Sequence, residues 1–281
     1  MSEEKILRKP AWLKVDRTPL DSYSNLHSQL NNGNLHTICE SGMCPNKAEC
    51  WSLGTATFMI LGDICTRNCK FCAVNTGKPL PPDLNEPDNI LEIVKTLSLK
   101  HVVLTSVTRD DLPDQGANHW AKCVELLKNA NLTVEALVPD FDGNRDLIKI
   151  VADANPDIFS HNLETVRSLS KLIRSKATYD KSLQTLEIAS SFGLTTKSGI
   201  MVGLGEKFDE VLDVMDDLLN VNCRILTIGQ YLQPSKNNYP VKEYVNPKIF
   251  DEYKSIALKK GFTYVESAPL VRSSYHSEKI L

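Results

Sequence analysis

Thr57-Phe-Met-Ile-Leu-Gly-Asp-Ile-Cys65-Thr-Arg-Asn-Cys69-Lys-Phe-Cys72 joins a short apolar run to three closely spaced cysteines. The run 57–63 reads as a buried strand, because a continuous apolar stretch of this length suits a strand covered on both faces. Similar runs recur at 101–106, 133–139, 157–162, 196–203 and 225–231. Between them, residues 88–98, 117–129, 145–154, 179–192 and 206–219 carry helical spacing. Strands alternating with helices imply a parallel sheet with right-handed crossovers. Six such units in about 180 residues predict an α/β fold, a partial (βα)6 version of the eight-unit TIM-like barrel. Active sites of such barrels gather at the C-terminal ends of the strands, so a cysteine triplet directly after the first strand stands where chemistry is expected.

Working outward, residues 1–55 are polar and turn-rich with little periodicity, and they carry a second triplet, Cys39, Cys44 and Cys50. This segment is expected to be an extension wrapped on a barrel core spanning 56–245. Leu80-Pro-Pro-Asp83 is a stiff connector within that core. Beyond it, 246–261 forms a helix closed by Gly261, 262–267 is strand-like, and a short polar tail ends the chain. The N-terminal extension and the 246–281 segment are both expected to cover the open end of the barrel, where the βα loops lie.

Six of the eight cysteines fall in the two triplets. Random placement would almost never give a CxxxCxxC spacing at this abundance. Three thiolates leave one iron of a cubane cluster without a cysteine, free to hold a substrate or cofactor, and two triplets point to two such clusters. Zinc is the competing reading, but structural zinc sites favour paired cysteines that close to four ligands, unlike these uneven gaps. A disulfide framework suits far smaller secreted chains. Cys123 and Cys223 lie in amphipathic or apolar runs and read as inert buried thiols.

Composition excludes several classes. The formal net charge is -3 and no long basic block occurs, so the electrostatic footprint of a nucleic-acid binder is missing. No long apolar run of membrane-spanning length is present, and the N-terminus lacks the features of a signal or transit peptide. A cytoplasmic protein of a reducing compartment is expected. Nothing requires a Ser-His-Asp triad or paired carboxylates, so the six His residues default to structure or binding.

CxxxCxxC with an aromatic before its last cysteine, here Phe71, resembles the radical S-adenosylmethionine superfamily, whose folds are partial or full βα barrels. The resemblance implies that Cys65, Cys69 and Cys72 hold a 4Fe-4S cluster. Its open iron would chelate S-adenosylmethionine, which reductive cleavage converts to methionine and a 5′-deoxyadenosyl radical. Finer similarity runs along almost the whole chain to the lipoyl synthase family. It is carried by Lys9-Pro-Ala-Trp-Leu13, Cys39-x₄-Cys44-Pro-Asn-x₃-Cys50-Trp51, Thr105-Ser-Val-Thr-Arg-Asp-Asp-Leu112 and His161-Asn-Leu-Glu-Thr165. Lys197-Ser-Gly-Ile-Met-Val-Gly-Leu-Gly-Glu206, Gly229-Gln-Tyr-Leu-Gln-Pro-Ser235 and Arg272-Ser-Ser-Tyr-His276 continue it.

That resemblance implies insertion of two sulfur atoms into octanoyl groups carried on a lysine of lipoyl carrier domains, those of 2-oxoacid dehydrogenase subunits and the glycine cleavage H protein. An electron donor such as ferredoxin or flavodoxin is also implied. A second 4Fe-4S cluster would sit on Cys39, Cys44 and Cys50, with Ser274 as its fourth, leaving ligand and Ser273 as the fallback. Phe71, Thr105, Ser106, Arg109, Asn162, Glu164, Gly203 and Gly205 are implied at the S-adenosylmethionine site. Rim capping competes for Thr105, Ser106, Asn162 and Glu164, chain turning for the glycines, and a solvated loop role for Arg109. Two alternatives remain at this point: a biotin synthase-like enzyme, which lacks this N-terminal triplet, and a two-cluster electron carrier, which closes each cluster with four cysteines.

Overall fold

A computed structural model describes residues 7–14, 30, 35–52 and 57–280. The apolar run after the extension is strand because Phe58, Met59 and Ile60 are all buried, leaving no polar face for a surface helix. A two-residue strand, β1 (His36–Thr37), pairs antiparallel with this strand, β2 (Thr57–Ile60). β3 (Ile64–Cys65) and β4 (Asn75–Thr76) form a small parallel pair that brackets the second cysteine triplet. β5 (His101–Ser106), β6 (Thr133–Leu137), β7 (Ile158–Ser160), β8 (Thr196–Val202), β9 (Ile225–Gln230) and β10 (Tyr264–Ser267) then follow β2 in order, every neighbour parallel. Among the described residues no pairing joins β10 to β1, so the sheet is an open, partial barrel.

The helices are α1 (Ile38–Ser41), α2 (Lys47–Ser52), α3 (Glu86–Thr96), α4 (Ala117–Asn129), α5 (Arg145–Asp153), α6 (Arg167–Ile173), α7 (Tyr179–Ser191), α8 (Phe208–Asn220) and α9 (Pro247–Lys260). Their starts are chemically marked. Asn144 caps α5 by accepting from the Asp146 N–H at 2.9 Å, Thr178 caps α7 through the Lys181 N–H at 3.2 Å, and Asn246 caps α9 through the Lys248 N–H at 3.0 Å. Gly261 closes α9 at φ 114°, a conformation few other residues adopt.

All six expected helices and five of the six expected core strands stand within about two residues of their expected limits, and the first strand ends three residues early, at Ile60; helical wheels and apolar runs carry that information locally. α6 was not predicted. It is about two turns long and buries only Ser170 and Ile173, too short a stripe to register as periodicity. The run 262–267, read as strand-like, is β10 at Tyr264–Ser267 and joins the sheet as its seventh parallel strand, next to β9.

Apolar side chains fill the layer between sheet and helices. Phe58, Leu104, Trp120, Val124, Val134 and Phe159 pack under the first half, and Ile200, Val214, Met215, Leu226, Ile228 and Phe250 under the second. Trp120 is wholly buried, so truncating it to Ala would cost about 3–5 kcal/mol. The inside of the sheet is different: Glu135, Ser160, Lys197 and Thr227 are buried there.

The tail does more than cover the loop end. Arg272 and Ser273 reach the cavity at that end, Ser274 meets Thr57 at the first residue of β2, and Ser277 is buried beside His101 at the start of β5. It thus runs down the open side of the barrel toward the opposite face. The polar interior supplies the reason, since buried charge needs more partners than β6 and β8 alone provide.

Candidate active site at the loop end of the barrel

The turn out of β2 sets the site. Leu61 and Gly62 both take positive φ, 68° and 94°, which swings the chain off the sheet toward Cys65. Leu61 is clamped: its N–H donates to Glu86 Oε2 at 2.9 Å and its carbonyl accepts from Arg109 Nη1 at 3.1 Å. The Arg109 Nε and Nη2 atoms are held by Asp111, each at 2.9 Å. Arg109 was expected at a carboxylate of cofactor or substrate; instead it is buried, does not line the cavity, and secures the turn that launches the cysteine loop.

The loop itself is docked by Arg67, between the first two cysteines of its triplet. Arg67 donates through Nε and Nη2 to Asp110 at 2.9 and 2.7 Å, and through Nη1 to Asp140 at 2.9 Å. Asp110 follows β5 and Asp140 follows β6, so one guanidinium ties the loop to two strand ends. Burial alone would push the Asp140 carboxyl up, but the Arg67 guanidinium outweighs it and holds the group at about 2. Thr66 adds a second tie, its hydroxyl donating to the Thr108 carbonyl at 2.9 Å.

Cys65, Cys69 and Cys72 all line one cavity of about 600 Å³. Cys65 Sγ accepts from the backbone N–H groups of Thr108 at 3.3 Å and Arg67 at 3.4 Å, and Cys72 Sγ from Val74 N–H at 3.5 Å. Burial, together with the charges of Cys69 and Cys65 beside it, pushes the Cys72 thiol up to about 12. Three thiols this close resist ionising together, and iron would displace their protons. No three Cys, His, Asp or Glu side chains among the described residues close on one point at single-ion distances. A cubane cluster puts each thiolate on a different iron and asks for no such point.

Of the residues expected at the cofactor, Phe71, Thr105, Ser106, Asn162 and Glu164 line this cavity. The Thr105 hydroxyl donates to the Leu137 carbonyl at 3.2 Å, and Ser106 Oγ accepts from Trp120 Nε1 at 3.2 Å, so both are positioned by neighbouring elements. Desolvation raises the Glu164 carboxyl above its ordinary range, against the pull of Arg174. Gly203 and Gly205 are not on the wall. A Cβ on Gly203 would lie 2.1 Å from Gln230 Nε2 and 2.4 Å from the Glu243 carbonyl, so this glycine serves close chain packing.

Sequence reasoning missed Arg174. It caps α6, is buried on the cavity wall, and bonds through Nη1 to the Leu163 carbonyl and Ser182 Oγ, while its Nε has no partner among the described residues. Its signal was hidden with the short helix that places it.

The first triplet lies at the side of the same cavity. Cys39 is buried, Cys44 and Cys50 half-buried, and their segment gives Ile38, Gly42, Met43 and Pro45 to the wall. Burial, then Cys44 and Cys39, push the Cys50 thiol up to about 12, which places the three within electrostatic reach of one another. The tail crosses here. Asn46 Nδ2 donates to the Leu270 carbonyl at 2.7 Å, Tyr275 OH to Glu49 Oε1 at 3.3 Å, and Thr57 Oγ1 to Ser274 Oγ at 2.9 Å. Ser273, the fallback residue, is on the cavity wall.

Comparison with known proteins agrees with this geometry. The Radical SAM superfamily profile matches residues 59–218. SuiB of Streptococcus suis, solved with S-adenosylmethionine, shares the fold at TM-score 0.62 and 10% identity, over 88% of this chain and 57% of that one. Methylornithine synthase does so at TM-score 0.57 and 14% identity, over 74% and 70%. The lipoyl synthase of Bacteroides thetaiotaomicron is 57% identical over 275 residues, 97% of this chain and 98% of its own length. That of Treponema denticola is 56% identical over 274 residues, 97% and 94% of the two chains. With its cysteine loop, cavity and full-length similarity taken together, the chain belongs to the lipoyl synthase family of the radical S-adenosylmethionine superfamily.

Proposed function

We propose that this protein inserts two sulfur atoms, at C6 and C8, into octanoyl groups held on a lysine of a lipoyl carrier domain. The observation that carries the reading is that the cysteine loop, the first triplet's segment and the C-terminal tail all wall one cavity. When bound, a 4Fe-4S cluster and S-adenosylmethionine supply the radical that removes unactivated hydrogen, and a second 4Fe-4S cluster supplies sulfide.

The protein's own part is binding, orientation and exclusion. Cys65, Cys69 and Cys72 hold the first cluster on a loop fixed by Arg67. Arg174 and Glu164, of opposite charge on the wall, suit the carboxylate and amino ends of an amino-acid ligand, while Thr105, Ser106 and Asn162 hold its polar edges. Phe71 packs against the buried cluster of Ile173, Leu204 and Tyr231 and fixes the last turn of the loop. Met59, Val107, Leu137, Met201 and Leu232 give the cavity an apolar side for an acyl chain. Cys39, Cys44 and Cys50 hold the second cluster, with Ser274 as fourth ligand. A hard alkoxide on iron leaves more readily than a thiolate, which suits a cluster that must give up sulfur.

Octanoylated domains of 2-oxoacid dehydrogenases and the H protein are the proposed partners, with a low-potential donor such as ferredoxin or flavodoxin, in the cytoplasm. No helix among the described residues is long and apolar enough to cross a membrane.

The test is incubation of the anaerobically reconstituted protein with S-adenosylmethionine, reductant and an octanoyl-lysine peptide, followed by mass analysis. About eight irons and a peptide carrying two added sulfurs are expected. Replacing Cys65, Cys69 and Cys72 with Ala should abolish 5′-deoxyadenosine. Replacing Cys39, Cys44 and Cys50 should preserve it and stop sulfur insertion. Normal lipoyl product from the second variant would overturn the sulfur-donor role.

A further inference from the structure

Inside the barrel, remote from the cysteine loop, lies a buried polar cluster with no assigned part in the chemistry. Glu135 on β6 and Lys197 on β8 form an ion pair of 2.8 Å, both essentially without solvent exposure. Ser160 Oγ donates to the other Glu135 oxygen at 2.7 Å. The third partner comes from the tail: Ser277 Oγ donates to Glu135 Oε2 and lies 2.9 Å from His101 Nε2, whose Nδ1 is 2.8 Å from Thr133 Oγ1. With the Ser277 proton on Glu135, His101 Nε2 donates to Ser277 Oγ, while burial lowers that imidazole below its ordinary value.

Ser277 is the only buried residue between 272 and 280. The tail past Val271 therefore has no apolar plug: its one fully buried tie is the Ser277 hydroxyl, inserted between a carboxylate and an imidazole, while the bonds of Ser274 to Thr57 and of Tyr275 to Glu49 lie nearer the surface. Hydrogen bonds to a buried charge are strong and directional, yet a single such point can open without unfolding the barrel. Ser277 lies three positions after Ser274, a span of at most about 10 Å of extended chain. Anchoring one confines the other.

We propose that Ser277 is a positioning residue. The Glu135–Lys197–His101 cluster is its receptor, and together they make the C-terminal tail a latch that sets Ser274 against Thr57 beside the first cysteine triplet. The latch stands on the contacts of Ser277 with Glu135 and His101; its consequence for the second cluster rests on the reading of Ser274 as a ligand. Opened, the latch would carry Ser274 away and uncover Cys39, Cys44 and Cys50.

The experiment compares the reconstituted wild type with Ser277→Ala and Ser277→Thr by hydrogen-exchange mass spectrometry and by chelator extraction of iron. Ser277→Ala leaves the Glu135–Lys197 pair intact, and unchanged exchange in β5 and β8 reports that the barrel is folded. The expected result is exchange across 268–280 faster by about ten- to a hundredfold in Ser277→Ala, restored towards wild type in Ser277→Thr. Faster loss of half the iron and reduced sulfur insertion, with 5′-deoxyadenosine formation preserved, should accompany it. Unchanged exchange of the tail in Ser277→Ala overturns the latch. A loosened tail with unaltered iron loss and sulfur insertion sustains the latch and overturns Ser274 as a ligand instead.

Discussion

Arg67 shows how much of this site depends on one side chain that touches nothing reactive. It is buried with Asp140 and ties the cysteine loop to two strand ends. Replacing Asp140 with Asn removes the charge that holds the guanidinium on the β6 side and leaves a buried cation short of a partner, at a cost of about 3–5 kcal/mol. The loop would lose its fixed geometry, and 5′-deoxyadenosine formation by Asp140→Asn should fall by roughly tenfold or more. Undiminished formation would show that Asp110 alone holds the loop. Ser274 carries a second prediction at this scale. Ser274→Cys should keep the second cluster, because thiolate is the better iron ligand, yet slow lipoyl formation against undisturbed 5′-deoxyadenosine production. Equal lipoyl rates would separate the lability of this ligand from sulfur donation. The cysteines stand out in the sequence because their spacing names them, whereas the proposed role of Ser274 rests on the resemblance carried by Arg272-Ser-Ser-Tyr-His276. The Arg67 partners could not, since Asp110 and Asp140 lie 43 and 73 positions away and meet it only once the sheet has curved. Arg109 was misplaced for the same reason: its partner Leu61 is 48 positions distant.

Among the elements, the β8 end and the 240s loop illustrate a glycine fixed by packing. Gln230 Nε2, at the end of β9, shares its two hydrogens among the carbonyls of Val202, Tyr231 and Glu243 at 3.2, 3.0 and 3.0 Å, and its Oε1 accepts from Val245 N–H at 2.9 Å. This staple crosses directly over Gly203, whose φ is 94°. Gly203→Ala would strain the backbone and force Gln230 off its partners, costing about 2–4 kcal/mol. A denaturation midpoint lowered at unchanged slope is the expected readout, and an unshifted midpoint would mean that the staple yields without loss. A glycine string in a sequence gives no sign of whether ligand or chain occupies the vacant Cβ position. The long helices were legible because each carries its own apolar stripe and cap. α6 was not, and Arg174 was lost with it.

At the scale of the whole molecule, the strand and helix alternation was enough to give the open barrel, while the path of the tail depended on a buried carboxylate and ammonium at positions 135 and 197 that no local pattern connects to residue 277. The same buried polarity should shape the acid response. His161 is buried between Val138 and Ser182, its Nδ1 donating to the Val138 carbonyl at 2.9 Å and its Nε2 2.9 Å from Ser182 Oγ, which accepts from Arg174. Burial, then the charge of Arg174, lowers the imidazole to about 4 from an ordinary value of 6.5. A lowered folded pKa means that the native state binds fewer protons than the unfolded chain between these values. Its stabilising contribution is therefore complete above about pH 6.5 and is lost as pH falls towards about 4. The loss is on the order of 2–3 kcal/mol for this one group. Asp140, depressed to about 2, keeps its own contribution until lower pH, between about 4 and 2, so the histidine should fail first. Unfolding free energies of the cluster-free chain measured from pH 7 to pH 4 should decline in wild type and flatten in His161→Gln, which keeps polar atoms but cannot titrate. An equal decline in both would assign the acid sensitivity to other groups and remove His161 from this role.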